Sequence, residues 1–288
     1  MNPILKKQNE PELINLLKAS TVAYTKAKKG ETVFTNCLVF LAFAYPVSYV
    51  LIGDDRVKIA LFGASFLITV FVQIFTDTFK GNTSKGALLK EEYDTTLFNL
   101  PWKSTLKKPD HAEVSRLSLL YKGKEIKDWY SPNLSQSIPA PFSIAILQHS
   151  NTSWDIGLRE IFRNWLIGFL ISYTIILWVF LLYFADGETI FLVNFSILSF
   201  YSHFISLIRG HQSVINKRKA ISSHLDEMIR NKAYIGVSEL RDIQDEIYIT
   251  RLEAAKVPNF VFRLYKKRLN AYTEDYVKMV NGIFHSIE

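Results

Sequence analysis

Three sets of side chains in this 288-residue sequence have types and spacing that could do chemistry. Gln148, Asn151, Trp154 and Arg159 gather in one short stretch, QHSNTSWDIGLRE. Arg241 and Gln244 lie one helical turn apart, with Arg251 two turns further on. Ser196, Ser199, His203 and Ser206 recur at spacings of three, four and three, which puts them on one face of a helix. The first two sets suit recognition. Arginine offers a bidentate fork to an anion, tryptophan a flat face for stacking, and a helix N-terminus free N–H groups. Each also has a structural alternative. Residues Asn151 to Asp155 could only cap a helix, Arg159 could pair with Glu160 or lipid, and Arg241 with Asp245 makes an i,i+4 surface pair. The serine stripe suits close helix packing, while His203 at membrane depth adds a pore-lining or relay option.

Catalytic constellations are missing from the sequence. The six histidines are scattered, with no HExxH, no Walker motif, no GxGxxG and no GxSxG. Asp110-His111 and His149-Ser150 read as solvated polar pairs. A single cysteine, Cys37, builds neither a disulfide nor a zinc cluster. The expectation is a protein that is not an enzyme and uses neither metal nor cofactor.

The elements that must position these groups are set by four apolar runs. Trp165–Ala185 follows the first set directly, about twenty residues without a charge, enough for a hydrocarbon core of roughly 30 Å. Thr152 and Ser153 are candidate N-caps with Asp155 behind them, so one helix would start in water, carry Arg159 and Arg163 to the bilayer surface and cross it. Val33–Ile52, Ile59–Phe75 and Thr189–Ile208 complete two hairpins, turned at 53–58 and 186–188. Their flanks carry the basic residues. Net charge is +3 over 1–32, +2 over 76–164 and +4 over 209–288, against 0 and −2 in the turns, out of +7 in all. By the positive-inside rule both termini and the long connector are cytosolic. Topology and anionic lipid then account for the basic charge, and no DNA or RNA binding is expected. With a charged N-terminal thirty residues, no cleavable signal peptide is expected either.

The sequence therefore predicts an all-α membrane protein: a cytosolic amphipathic helix (1–32), a first transmembrane hairpin (33–75), a cytosolic helical connector with its own small core (76–164), a second hairpin (165–208) and a cytosolic helical tail (209–288). Within these, Pro101 ends a helix over 87–100, Asp110 caps one running to about Tyr121, and 131–143 forms an ordered loop. In the tail, a break at 234–236 precedes another helix, and Pro258 opens the last. Residues 10–29 either lie on the membrane or pack on the other cytosolic helices. Arg159 and Arg241 are expected at helix surfaces.

The segments AYTKAK (23–28), LLKEEYDTTLFNLPW (88–102), ILQHSNTSWDIGLRE (146–160) and LRDIQDEIYITRLEAAKVPNFVF (240–262) resemble motifs of the SMODS-associated four-transmembrane effector family. Their order along nearly the whole chain carries the likeness. Where the family tends to have a Cys-Gln-Arg-like start to the central motif, this chain has Leu147-Gln148-His149. The resemblance implies a bacterial antiphage role at the inner membrane. There, a cyclic di- or oligonucleotide made after infection would activate a homo-oligomeric effector that opens or disrupts the bilayer. Gln148, Asn151, Trp154, Arg159, Arg241, Gln244 and Arg251 would then meet the nucleotide. A constitutive channel or transporter without a nucleotide ligand, and a membrane scaffold recruiting a protein partner, are the other readings.

Overall fold

The computed structural model describes residues 2–52, 54–232 and 234–285, without the side chains of 65, 69 and 71–79. The described residues are helical, with no strand among them. The order is α1 (Pro3–Lys7), α2 (Pro11–Val47) continuing as a π-turn (Ser48–Ile52), α3 (Asp55–Phe98), α4 (His111–Leu119), α5 (Ala140–Phe184), α6 (Gly187–Ser196), α7 (Leu198–Asn231), α8 (Val237–Glu253) and α9 (Asn259–His285). Four of these, α2, α3, α5 and α7, run 34 to 45 residues, about three times an average helix or more. They pass the sequence positions 32, 75, 164 and 208 without a break.

Local chemistry sets the helix ends. The Asp54, Asp110 and Asp186 carboxylates accept from the N–H of Arg56, Ala112 and Thr189 at 2.8, 3.1 and 2.7 Å. Asn99 takes the left-handed conformation (φ 53°) that closes α3 just before Pro101, and Lys232 (φ 49°) does the same after α7. Pro46 lacks the N–H that α2 would use, and the helix widens into the π-turn immediately after it.

One expectation about α5 is overturned. The helix does not start at Thr152–Ser153 but at Ala140, with Pro141 in its first turn, where a missing N–H costs nothing. The polar stretch is mid-helix. The Ser150 and Thr152 hydroxyls donate back to the carbonyls of Ile146 and Gln148, both at 2.8 Å, and cap nothing. The helix also takes over the last four residues of the loop expected at 131–143.

Two apolar cores are threaded on the same long helices. The first joins Leu5, Leu13, Leu17, Tyr93, Leu117, Leu147, Leu225, Ile243 and Val277. The connector therefore has no core of its own. In α4 only Val114 and Leu117 are buried, too little for independent packing, so the N-terminal and tail helices complete it. Residues 10–29 accordingly pack on the other helices. The second core holds Leu38, Tyr45, Leu166, Tyr173, Leu181 and Phe200. Around it the outer surface is apolar, with Phe40, Phe43, Leu51, Ile171, Ile175, Ile176, Leu182, Phe191 and Phe195 exposed. An apolar exterior around an apolar core is what lipid requires.

Four spans are expected from the sequence; among the described residues the helices long and apolar enough to cross a membrane number two, Pro11–Ile52 and Ala140–Phe184. A third is added if α6 and α7, bent by 45° at Ile197, count as one broken span. The expected span Ile59–Phe75 lies in α3, partly on side chains outside the described residues. The bend also divides the serine stripe: Ser196 belongs to α6, while Ser199, His203 and Ser206 belong to α7.

Candidate functional site

Most of the residues with recognition chemistry meet where α3, α5 and α8 cross. On α3, Glu91 and Asp94 lie one turn apart on the face that also buries Ala87, Leu97 and Phe98. Arg241 Nη2 donates to Glu91 Oε1 at 2.5 Å and to Asp245 Oδ1 at 2.7 Å. Gln244 Nε2 donates to Glu91 Oε2 at 2.7 Å, and Gln148 Nε2 donates to Gln244 Oε1 at 3.2 Å. One chain of donors thus runs from α5 through α8 to α3. A second runs beside it. Asn151 Nδ2 donates to the Tyr130 hydroxyl (3.2 Å), which donates to Asp94 Oδ1 (2.9 Å), and Arg251 Nη2 donates to Asp94 Oδ2 (2.5 Å). Lys90 Nζ is 3.6 Å from Asp94 and stands over the rings of Trp129 and Tyr93 at 4.0 and 4.1 Å.

Burial tunes these charges. It pulls the Lys90 ammonium down to about 7 despite Asp94. Burial would raise the Asp94 carboxyl, but Lys90 and Arg251 outweigh it and hold the group below the ordinary carboxylate value. At Glu91 burial prevails over Arg251, Gln244 and Arg241 and pushes the carboxyl up. Buried ions in so dry a place are stable only as a matched set.

Arg159 sits in an adjoining cluster. Its Nε donates to Asp155 (2.5 Å) and its Nη1 to the Ala255 carbonyl (2.8 Å), with His211 Nδ1 at 3.2 Å. Burial and the Arg159 charge bring His211 down to about 3, so its ring is neutral and Nδ1 accepts. Asp155 is also 3.2 Å from Arg218, whose Nε donates to Thr250 next to Arg251. Burial would raise Asp155, yet Arg159 and Arg218 hold it at about 2.

Arg159 and Arg241 are thus not at helix surfaces. They are 6 % and 8 % exposed, because α7 and the segment at Ala255 close over Arg159, and α3 and Pro101 over Arg241. Trp154 stands apart from both clusters. Its Nε1 donates to Asn270 (2.9 Å), and it lines a groove of about 460 Å³ between α5 and α9, with His149, Gly157, Tyr272 and Tyr276. His149 stacks on Tyr276 at 4.1 Å, and burial lowers it to about 4. In the membrane half His203 Nε2 is 3.0 Å from Thr35 Oγ1 on α2, a helix–helix contact, while Ser199 and Ser206 face outward.

The model of the SMODS-associating 4TM effector domain matches residues 2–279 of this chain. The chain belongs to that family. A probable CBASS effector molecule of Bacillus cereus (strain VD146) is 23 % identical, over 92 % of this chain and 94 % of the relative. No solved structure matches. Three of the four family-like segments, 88–102, 146–160 and 240–262, far apart in sequence, meet in the buried polar layer just described. The residues that sequence reasoning did not single out are Lys90, Glu91, Asp94, Tyr130, His211 and Arg218. The signal for several was a charge inside an apolar stripe, as with Arg218 between Val214 and Ile221.

Proposed function

We propose that this protein is a cyclic-nucleotide-activated effector of antiphage defence, which opens or disrupts the bacterial inner membrane as a homo-oligomer with both termini in the cytosol. The observation that carries the reading is α5. Its 45 residues, roughly 68 Å of helix, hold Gln148, Asn151 and Arg159 in the polar layer at one end and a spanning-length apolar stretch at the other. A cyclic di- or oligonucleotide that competes for the arginines would loosen them from Glu91, Asp94 and Asp155, and α3 and α5 would carry the change into the bilayer. The name of the Bacillus cereus relative supports the nucleotide, and the apolar exterior supports the membrane.

The test pairs calorimetry with dye release. Detergent-purified protein should bind one or more synthetic cyclic di- or oligonucleotides, and the same compound should trigger release from liposomes. Ser199→Leu combined with His203→Leu should leave binding unchanged and lower release, since both residues lie at membrane depth. Release that ignores every nucleotide would mean a constitutive channel; binding of none would remove the effector mechanism.

Topology is checked separately. In a Cys37→Ser background, Asp186→Cys should react with a membrane-impermeant thiol reagent in intact spheroplasts, and Ser223→Cys should not. Labelling of Ser223→Cys alone would place the termini outside.

A further inference from the structure

Behind the Asp155 pair lies an excess of buried and half-buried positive charge. Arg159 on α5, Arg218 on α7 and Lys256 in the α8–α9 connection act on Tyr24 or stand over it, and Lys28 on α2 lies within reach of Arg159; two carboxylates, Asp155 and Glu31, face these four cations, while Arg251, which also acts on Tyr24, is matched by Asp94 and Glu91. Asp155 is shared by Arg159 and Arg218. Glu31 Oε2 accepts from the backbone N–H of Lys256 at 3.3 Å. Arg218 is 3 % exposed, and its Nη1 has no hydrogen-bond partner among the described residues. The ammonium groups are held by neutral acceptors: Lys28 Nζ by Asn259 Oδ1 (2.9 Å) and Lys256 Nζ by the Ala254 carbonyl (2.6 Å). Lys256 Nζ is also 5.3 Å from the centre of the Tyr24 ring, and that ring rests on Gly86, where a Cβ would meet it at 3.0 Å.

Four cations against two carboxylates in a half-dry site is an uncompensated arrangement. The missing charge is negative, and its shape can be read from the donors. The unpartnered Nη1 of Arg218, with the Arg159 guanidinium beside it and the two half-buried ammoniums, approaches from three helices and the α8–α9 connection, which suits the several oxygens of a phosphate better than the two of a carboxylate. Tyr24, half-buried between Gly86 and Lys256, closes the side of this cluster. Burial, and after it the charge of Arg159, pulls Lys28 down to about 8, the direction a bound anion would reverse.

We propose that Tyr24, Lys28, Arg159, Arg218 and Lys256 form a phosphate-binding subsite that takes a phosphodiester or diphosphate anion. The assignment rests on the nucleotide reading above only for the molecule that carries the phosphate. Lys28 lies close to Val33, where the first apolar run begins, so a phospholipid headgroup shares the chemistry and has its own arm in the test.

The probe is inorganic pyrophosphate, titrated into detergent-purified full-length protein and followed by calorimetry and thermal unfolding. Wild type should bind and be stabilised. Lys28→Gln with Lys256→Gln should weaken binding about tenfold or more without changing the thermal transition of the unliganded protein, because both side chains reach the surface. Arg218→Gln should weaken binding as much but also lower the thermal transition, since it takes a partner from Asp155; if it fails to fold, the Lys28→Gln, Lys256→Gln variant decides alone. Lys85→Gln with Lys107→Gln, in the other basic groove, should bind as wild type. In the lipid arm, nanodiscs containing phosphatidylglycerol are compared with pure phosphatidylcholine. Competition by phosphatidylglycerol assigns the site to a headgroup, and its absence to a soluble ligand; either supports a phosphate site. Wild type that neither binds pyrophosphate nor distinguishes the two lipids overturns the proposal, as does a Lys28→Gln, Lys256→Gln variant that binds normally. No cyclic nucleotide is used, so a failure of nucleotide gating leaves this result standing.

Discussion

Asp94→Ala is expected to cost about 3–5 kcal/mol of stability, enough to unfold much of the cytosolic half of the detergent-solubilised protein at ambient temperature. Asp94 is fully buried and accepts from Arg251 and Tyr130, with Lys90 at 3.6 Å. Removing the carboxylate strands the Arg251 guanidinium where water cannot reach it and takes from Lys90 the charge that favours its ammonium. Part of the loss should therefore return when the cations are removed as well, in Asp94→Ala with Lys90→Met and Arg251→Met, since a buried ion set can be replaced by apolar groups at little net cost. The pH dependence has a definite sign. The folded-state Asp94 carboxyl lies below its ordinary value and Asp155 at about 2, so both contribute stability above pH ~4 that is lost as pH falls through the folded values. Wild type should destabilise between about pH 4 and 2, and Asp94→Ala less so. Urea unfolding followed by tryptophan fluorescence measures all of this. A variant within about 1 kcal/mol of wild type at pH 7 would show that the polar layer does not hold the cytosolic core.

The helices and several of their ends were legible in the sequence because each has a local cause. Asp110, Pro101, Asp186 and Pro258 mark boundaries through their own backbone chemistry, and the runs 33–52 and 165–185 declare themselves by length. Misreading the start of α5 has the same origin. Thr152-Ser153 followed by Asp155 satisfies the local cap pattern, and so does Pro139-Ala140-Pro141; only the core beneath residues 144–152 decides between them. What a single sequence withholds is pairing. Arg241 and Asp245 do form the i,i+4 pair, but the stronger constraint on Arg241 is Glu91, on a helix 150 residues away. A charge within an apolar stripe, as at Asp94 or Arg218, announces that it is buried without naming its partner. The burial of Arg159 is withheld for the same reason: Ala255 and His211, which contact it, belong to elements brought close only by the fold.

Gly168 offers the sharpest test of whether α5 transmits a signal. It lies three residues beyond Trp165, inside the apolar stretch, and a Cβ there would meet nothing within 4 Å. Effects of substitution at this position act through the backbone alone. Gly168→Pro removes the N–H that bonds the Asn164 carbonyl and sets the ring against that oxygen, costing ~3 kcal/mol of local helix and kinking the rod. Gly168→Ala does the opposite, stiffening the helix by about 0.5–1 kcal/mol. Arg159 is nine residues away, roughly 14 Å along the axis, so the polar layer should be untouched in both. Nucleotide affinity should match wild type in each variant, while dye release falls about tenfold or more in Gly168→Pro and is kept in Gly168→Ala. A tenfold fall corresponds to ~1.4 kcal/mol of lost coupling between the two ends. Neighbouring helices can re-satisfy a proline within a membrane, so insertion is verified by thiol labelling at Asp186→Cys in the same background. If the proline variant inserts, binds nucleotide and still releases dye at the wild-type rate, α5 is an anchor, and the signal must pass through α3 or α7.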